Sequence, residues 1–139
     1  MKNIGISGNQ GKKIAGFENL RIWQKANELM TEIHNIAKRL PMTEKYRIRD
    51  QIERSSASVS ANIAEGYSSY YYNDKIKGMY TARKEAGETQ SHLRALESRK
   101  YLSEAQTKKL IEEYEGLVRG INAYINYVRD KREASKSAS

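Results

Sequence analysis

The side chains with chemical reach are few, and their spacing argues against catalysis. The two histidines, His34 and His92, fall on different predicted helices. Glu88 and His92 share a helix face at i and i+4, a spacing that can hold a metal. A ferritin-like carboxylate centre needs Glu-x-x-His on two helices plus two further glutamates, and that pattern is absent, so no metal is expected. The serines at 55, 56, 58 and 60 lie among alanines and read as packing residues, with no Ser-His-Asp arrangement around them. Glu53 and Glu65 are 12 residues apart. That is about three helical turns, too far to act as paired carboxylates. In GISGNQGKK, Ile6 stands where a phosphate-binding loop needs its first glycine and Lys13 where it needs Ser or Thr, and no strand precedes it. With 0 cysteines there is no thiolate chemistry and no disulfide. Neither an enzyme nor a cofactor is expected.

Cations and tyrosines are the richer signal. Lysine and arginine number 25 against 17 acids, a formal net charge of +8 that favours polyanionic partners, nucleic acid first among them. Lys45, Arg47, Arg49 and Arg54 on one predicted helix could build a phosphate-binding surface with Lys75, Lys77, Arg83, Lys84, Arg94, Arg99 and Lys100 on the next. The plainer alternative is a solvated face in which many of them pair with Asp50, Glu53, Glu85 and Glu88, each exposed pair worth under about 1 kcal/mol. Tyr67, Tyr70, Tyr71 and Tyr72 beside Lys75, Lys77 and Arg83 could stack unpaired bases. The simpler expectation is that some of these rings plug the end of a bundle while their hydroxyls reach water.

The elements that must position these groups are helices. Leu20, Trp23, Ala26, Met30, Ile33, Ala37 and Leu40 repeat at three and four over a helix from about Glu18 to Arg39, with Ile22, Leu29 and Ile36 as a second row. Pro41 breaks it, and Thr43 is a plausible N-cap for a helix over about 44–65. There Ile48, Ile52, Val59 and Ile63 mark one face, and Ser and Ala on most other sides allow close backbone approach. Asn73 or Asp74 caps a third helix whose apolar positions are Ile76, Met79, Ala82, Ala86, Thr89, Leu93 and Leu96. Leu102, Ser103 and Gln106 read as a capping box with an apolar residue ahead of it. The fourth helix uses Leu110, Tyr114, Leu117, Ile121, Tyr124 and Val128, flanked by Ile111, Val118 and Ile125. The prediction is an all-α, antiparallel up-down four-helix bundle over 16–130, with a disordered basic arm at 1–15 and a frayed polar tail at 131–139.

Length and composition agree. A chain of 139 residues holds one domain with a real core. Hydrophobic residues at 38% and charged residues at 30% suit amphipathic helices. No window approaches eighteen apolar residues, so no membrane span is predicted. The N-terminus lacks an apolar h-region, and together with the absence of cysteine this gives a cytoplasmic expectation.

One series of residues is specific enough to name. Phe17-Glu-Asn-Leu20, Trp23-Gln24, Ala26, Pro41, Glu44, Tyr46, Gln51-Ile52, Arg54, Ser58-Val59 and Asn62-Ile-Ala-Glu-Gly66, then Ala86-Gly87-Glu88, Ser91, Leu93 and Tyr101-Leu102, resembles the family of 23S rRNA intervening-sequence proteins. That family includes the accessory variability determinant proteins of diversity-generating retroelements. The resemblance spans about 17–128, and NIAEG is its most specific word. Glu85 stands where the family often has Ser, and Lys100 where it often has Gly. The run from Arg83 to Thr89 leans toward the retroelement branch.

The resemblance implies a bundle that assembles as a homo-pentameric, barrel-like ring with a basic surface. In the retroelement branch that ring binds RNA and a reverse transcriptase. In the other branch the gene lies within an insertion of 23S rRNA. The second apolar rows on helices one and four are what subunit contacts would need. Asn62 and Glu65 are expected to satisfy polar groups at a helix end, and Gly66 to turn the chain. The expected function is a non-enzymatic, homo-oligomeric bundle that binds RNA through phosphate contacts. The alternative is a protein-interaction scaffold that binds nucleic acid only incidentally.

Overall fold

The computed structural model describes residues 14–138, so nearly all of the predicted basic arm lies outside the described residues. Among the described residues there are four α-helices and no strand: α1 (Arg21–Ala37), α2 (Asp50–Ser68), α3 (Tyr72–Ser98) and α4 (Glu104–Ala138). A short 3-10 turn, Gly16–Asn19, leads into α1. The connection from α1 to α2 is a 3-10 turn at Met42–Glu44, then a widened π turn at Lys45–Arg49 interrupted by non-helical backbone at Arg47. Helix two therefore begins later than the periodicity suggests, although Ile48 is already buried. Short connections make successive helices antiparallel. Helix α2 packs on α1 and α3, and α4 packs on α3 and, less extensively, on α1.

The predicted apolar faces of α2, α3 and α4 are the faces that the bundle buries. Each well-buried Leu, Ile or Val contributes about 1.5–3 kcal/mol, so this core outweighs the exposed ion pairs. Helix α1 and its flanking residues bury Leu20, Ala26, Ile33, Ala37 and Leu40 of the predicted face, but the helix is rotated slightly toward the second row: Ile22 and Leu29 are buried as well, whereas Trp23 and Met30 are only half-buried. Ile125 of the second row on α4 also enters the core. Much of the apolar surface expected at subunit contacts is thus used within one chain, leaving Ile36, Ile111 and Val118 half-buried on the outside.

The serines of α2 pack as expected. Ser55 Oγ lies 2.8 Å from Thr89 Oγ1 across the α2–α3 seam, and Ser56 and Ser60 donate to carbonyls within their own helix. Gly66 departs from its expected role. It lies inside α2 with no left-handed backbone and turns nothing. A Cβ on Gly66 would lie 2.9 Å from the Lys75 carbonyl oxygen, and one on Gly78 would lie 2.7 Å from the Gly66 Cα. The glycine pair lets two helix backbones touch where α2 hands over to α3. Asn62 is likewise internal: its Nδ2 donates to the Ser58 carbonyl and hydroxyl at 2.8 and 2.9 Å, with no helix end involved. Glu65 is exposed and shares an open polar groove with Asn62, Asp74 and Lys77.

The helix ends follow local chemistry. Ser103 and Gln106 form the reciprocal capping box at the start of α4, Ser103 N–H to Gln106 Oε1 at 2.9 Å and Gln106 N–H to Ser103 Oγ at 3.1 Å. Neither Asn73 nor Asp74 caps α3, whose N-cap is Tyr71 without a side-chain bond. Helix α3 ends in a Schellman motif, with Tyr101 N–H to Leu96 O and Lys100 N–H to Glu97 O, both at 2.9 Å. Lys100 occupies the left-handed position at φ 67°, where glycine is preferred. Helix α4 continues to Ala138, through the segment expected from sequence to fray, and so projects Arg129, Lys131 and Arg132 on a regular helix.

Candidate nucleic-acid interface

The basic residues singled out in the sequence are spread along the bundle. At about 1.5 Å rise per residue, the start and finish of α2 lie roughly 30 Å apart, and the cations are distributed along that length. At the α1–α2 corner, Arg99 Nη1 donates to both carboxylate oxygens of Glu44 at 2.8 and 2.9 Å, and the Tyr101 hydroxyl donates to Glu44 Oε2 at 3.1 Å. Glu44 is 8% exposed, and the Arg99 hydrogen bond is the chief reason its carboxyl is held below the ordinary carboxylate value. Arg94 pairs with Glu97 at 3.0 Å, and Arg49 lies 3.9 Å from Glu53. Arg49, Arg94 and Arg99 therefore have carboxylate partners in their own chain, and Lys45, Arg47 and Lys100 lie exposed at the same end.

Midway along the α2–α3 face, Arg54 and Lys84 are exposed beside Glu85, Glu88 and His92. Glu85 has one carboxylate oxygen buried without a hydrogen-bond partner, and burial followed by the neighbouring Glu88 pushes its pKa up. Burial lowers the pKa of His92. His34, the other histidine, bonds the Glu53 carbonyl oxygen through Nε2 at 3.2 Å and ties α1 to α2. Among the described residues, the one acidic cluster with ligand spacing is Glu28, Glu32 and Glu113. Lys25 already sits on it, 2.6 Å from Glu113 and 2.9 Å from Glu28. Glu88 and His92 are not part of that cluster.

The opposite end is built differently. Tyr67 is its plug: the ring seats against Gly16, and Lys75 Nζ lies 5.5 Å from the ring centre while donating to the Tyr67 carbonyl at 2.6 Å. Burial lowers the Lys75 pKa, so this lysine is a packed group rather than a free phosphate contact. Tyr124 continues the plug, its pKa pushed up to about 12 by burial and then by Tyr67 and Tyr127. The neighbouring rings are not plugs. Tyr70 and Tyr71 are 87% and 66% exposed, set edge-to-face with centroids 5.0 Å apart, and Tyr127 is 47% exposed with Lys131 Nζ 5.6 Å from its centre.

About 12 Å farther along α3 from Tyr72, Tyr80 meets two guanidinium groups: Arg83 lies 4.9 Å from its ring centre, and Arg129, 5.8 Å from it, donates to its hydroxyl. Arg83 Nη1 is fixed by Asn122 Oδ1 at 2.7 Å. Arg132 donates to Asn73 Oδ1 at 2.9 Å and pairs with Glu133 at 3.0 Å. Neutral oxygens and aromatic faces hold Arg83 and Arg129 here, so their charge is oriented without being cancelled. Lys77 is exposed nearby. Of the predicted contacts, Lys77 lines the groove with Glu65 and Asp74 on one side of α3, and Arg83 lies farther along α3, toward the middle of the bundle, on the side facing α4. Arg129, Lys131 and Arg132 were missed because they sit at or beyond the expected end of the domain. The signal that could have found them is the i, i+3 spacing of Arg129 and Arg132 with Tyr124 and Val128 on a helix that has no break before Ala138.

A family model described as 23S rRNA-intervening sequence protein matches residues 18–123. The chain belongs to that family. A crystal structure of a protein of unknown function from the S23 ribosomal protein family of Bacteroides thetaiotaomicron VPI-5482 is similar, with a TM-score of 0.70 and 27% identity over 76% of this chain and 95% of that one. No curated protein matches the chain. The two departures from the family pattern now have physical counterparts in this intervening-sequence protein. Lys100 takes the left-handed helix-end position that the usual glycine would fill without strain, and Glu85 places a carboxylate oxygen where a serine would bury less charge. Among the described residues, no helix is long and apolar enough to cross a membrane.

Proposed function

We propose that this intervening-sequence protein is a non-enzymatic, cytoplasmic, homo-oligomeric RNA-binding bundle whose phosphate contacts come from the tyrosine-rich end. One observation carries the reading: Arg83 lies over the Tyr80 ring and donates to Asn122 Oδ1, and Arg129 donates to the Tyr80 hydroxyl, so a ring and neutral oxygens hold both. A guanidinium held in this way keeps its fork of donors and its charge for an incoming phosphate. The half-buried apolar residues Ile36, Ile111 and Val118 supply a surface for self-association, for which the family resemblance suggests five copies. The run from Arg83 to Thr89 favours the retroelement setting, in which the bundle would support a reverse transcriptase. The rival reading, a scaffold for a protein partner, predicts a different response to salt.

The test is mass by light scattering on the purified protein, with and without a structured RNA, at low and moderate salt. The proposal expects an oligomer near five times 16.0 kDa that gains mass with RNA at low salt and releases it steeply as salt rises. A monomer indifferent to RNA would overturn both the assembly and the binding. RNA binding that barely responds to salt would favour an apolar interface over phosphate contacts.

A further inference from the structure

We infer that the tyrosine-rich end is a stacking platform for unpaired nucleotides, so that single-stranded RNA is preferred over duplex. This rests on the RNA-binding reading and names the form of RNA. Tyr70 and Tyr71 stand 87% and 66% exposed where α2 passes to α3, far more open than bundle packing requires. Their mutual edge-to-face contact at 5.0 Å and 90° leaves ring faces accessible. Tyr127 offers a further exposed ring beside Lys131 on α4. The Arg132–Asn73 hydrogen bond at 2.9 Å ties α4 to the first turn of α3, so these rings belong to one end of the bundle.

Exposed rings interleaved with cations suit a strand whose bases are splayed out. The rings take base faces and the cations take the intervening phosphates. A-form duplex keeps its bases stacked internally and offers these rings nothing but its outer backbone. A protein partner with an apolar surface would not need Lys131 beside the Tyr127 ring and Arg132 at Asn73, whereas a polyanion does. The chemistry of the patch therefore selects the strand.

The experiment compares three labelled probes at one salt concentration: an oligoadenylate of about 12 nucleotides, a blunt RNA duplex with the same number of phosphates, and an abasic strand of the same length. The oligoadenylate is expected to bind roughly tenfold or more tighter than the abasic strand. The double variant Tyr70→Ala/Tyr71→Ala should lose about tenfold or more in affinity for oligoadenylate, with the salt slope unchanged, because its phosphate contacts remain. Tyr70→Phe/Tyr71→Phe should retain the affinity, since stacking needs the ring and not the hydroxyl. Both positions are exposed, and circular dichroism reports whether the variants keep the fold.

Equal binding of all three probes would overturn stacking while leaving phosphate-driven RNA binding in place. No binding of any probe at low salt would overturn both. Loss of oligomer mass in the alanine variant with RNA affinity intact would assign the rings to a protein interface and also overturn the inference.

Discussion

The two ends of this bundle use the same residue types to opposite effect. At the α1–α2 corner, Arg99 and Tyr101 close on Glu44, and an arginine, a tyrosine and a carboxylate cancel one another's hydrogen-bonding capacity. Farther along α3, Arg83 lies over the Tyr80 ring and donates to Asn122 Oδ1, and Arg129 donates to the Tyr80 hydroxyl, so neutral partners take the place of the carboxylate. Composition counts both arrangements alike. What separates a structural clasp from a binding surface is the partner: a buried carboxylate neutralises a guanidinium, whereas an aromatic face or an amide oxygen only aims it.

The largest expected effect comes from inverting charge at the open end. Arg83→Glu with Arg129→Glu should weaken RNA binding on the order of 100-fold at low salt and flatten its salt dependence. Lys45→Glu at the clasped end should change affinity only a few-fold. Fluorescence anisotropy with one RNA across a salt series checks both, and equal losses from the two ends would erase the distinction.

Next in size is the seam that brings α3 onto α2 beside the tyrosines. Gly78→Ala forces a Cβ to within 2.7 Å of the Gly66 backbone, and the overpacking should cost about 1–3 kcal/mol, less what alanine gains in helix propensity. Gly87, where an added methyl would meet nothing within 4 Å, should instead gain about 0.5–1 kcal/mol as alanine. Urea unfolding of the two variants gives the comparison directly.

Lys100→Gly removes a cation from the clasped end and relieves the left-handed backbone, so stability should rise by up to about 1 kcal/mol with RNA affinity unchanged. A drop in affinity would mean that Lys100 contacts phosphate after all.

The smallest effects are those of pH. Glu44 has a lowered folded pKa, so its stabilisation is present above the ordinary value of 4.5 and lost as pH falls through the folded value. Glu85 has a raised folded pKa, so its contribution is complete below 4.5 and lost as pH rises through the folded value. Glu44→Gln should therefore flatten the acid limb of the stability curve, and Glu85→Gln the limb above 4.5. Chemical denaturation at several pH values tests both signs, and matching changes from the two variants would contradict the assignment.

The helices were legible because their apolar residues recur at three and four with hardly a conflicting proline. The rotation of α1 was not, because Ile22 and Trp23 are adjacent and either row makes a credible face. Gly66 misleads for a related reason: a glycine near a helix end ordinarily signals a stop, and only the position of Gly78 on the next helix shows that it serves a backbone contact. In the candidate site, the cations were visible but their partners were not. Arg99 and Glu44 are 55 residues apart in sequence, and no local spacing announces that pair. Arg129 escaped notice because the apolar pattern ends at Val128, while the helix itself runs on to Ala138.

Ultraviolet crosslinking of a bound RNA, followed by mass-spectrometric mapping of the modified residues, tests the contrast between the two ends most directly. Crosslinks are predicted at Tyr70, Tyr71, Tyr80 and Tyr127, with none at Tyr101. Crosslinks concentrated around Lys45, Arg47 and Tyr101 would place the RNA on the clasped end and contradict the account.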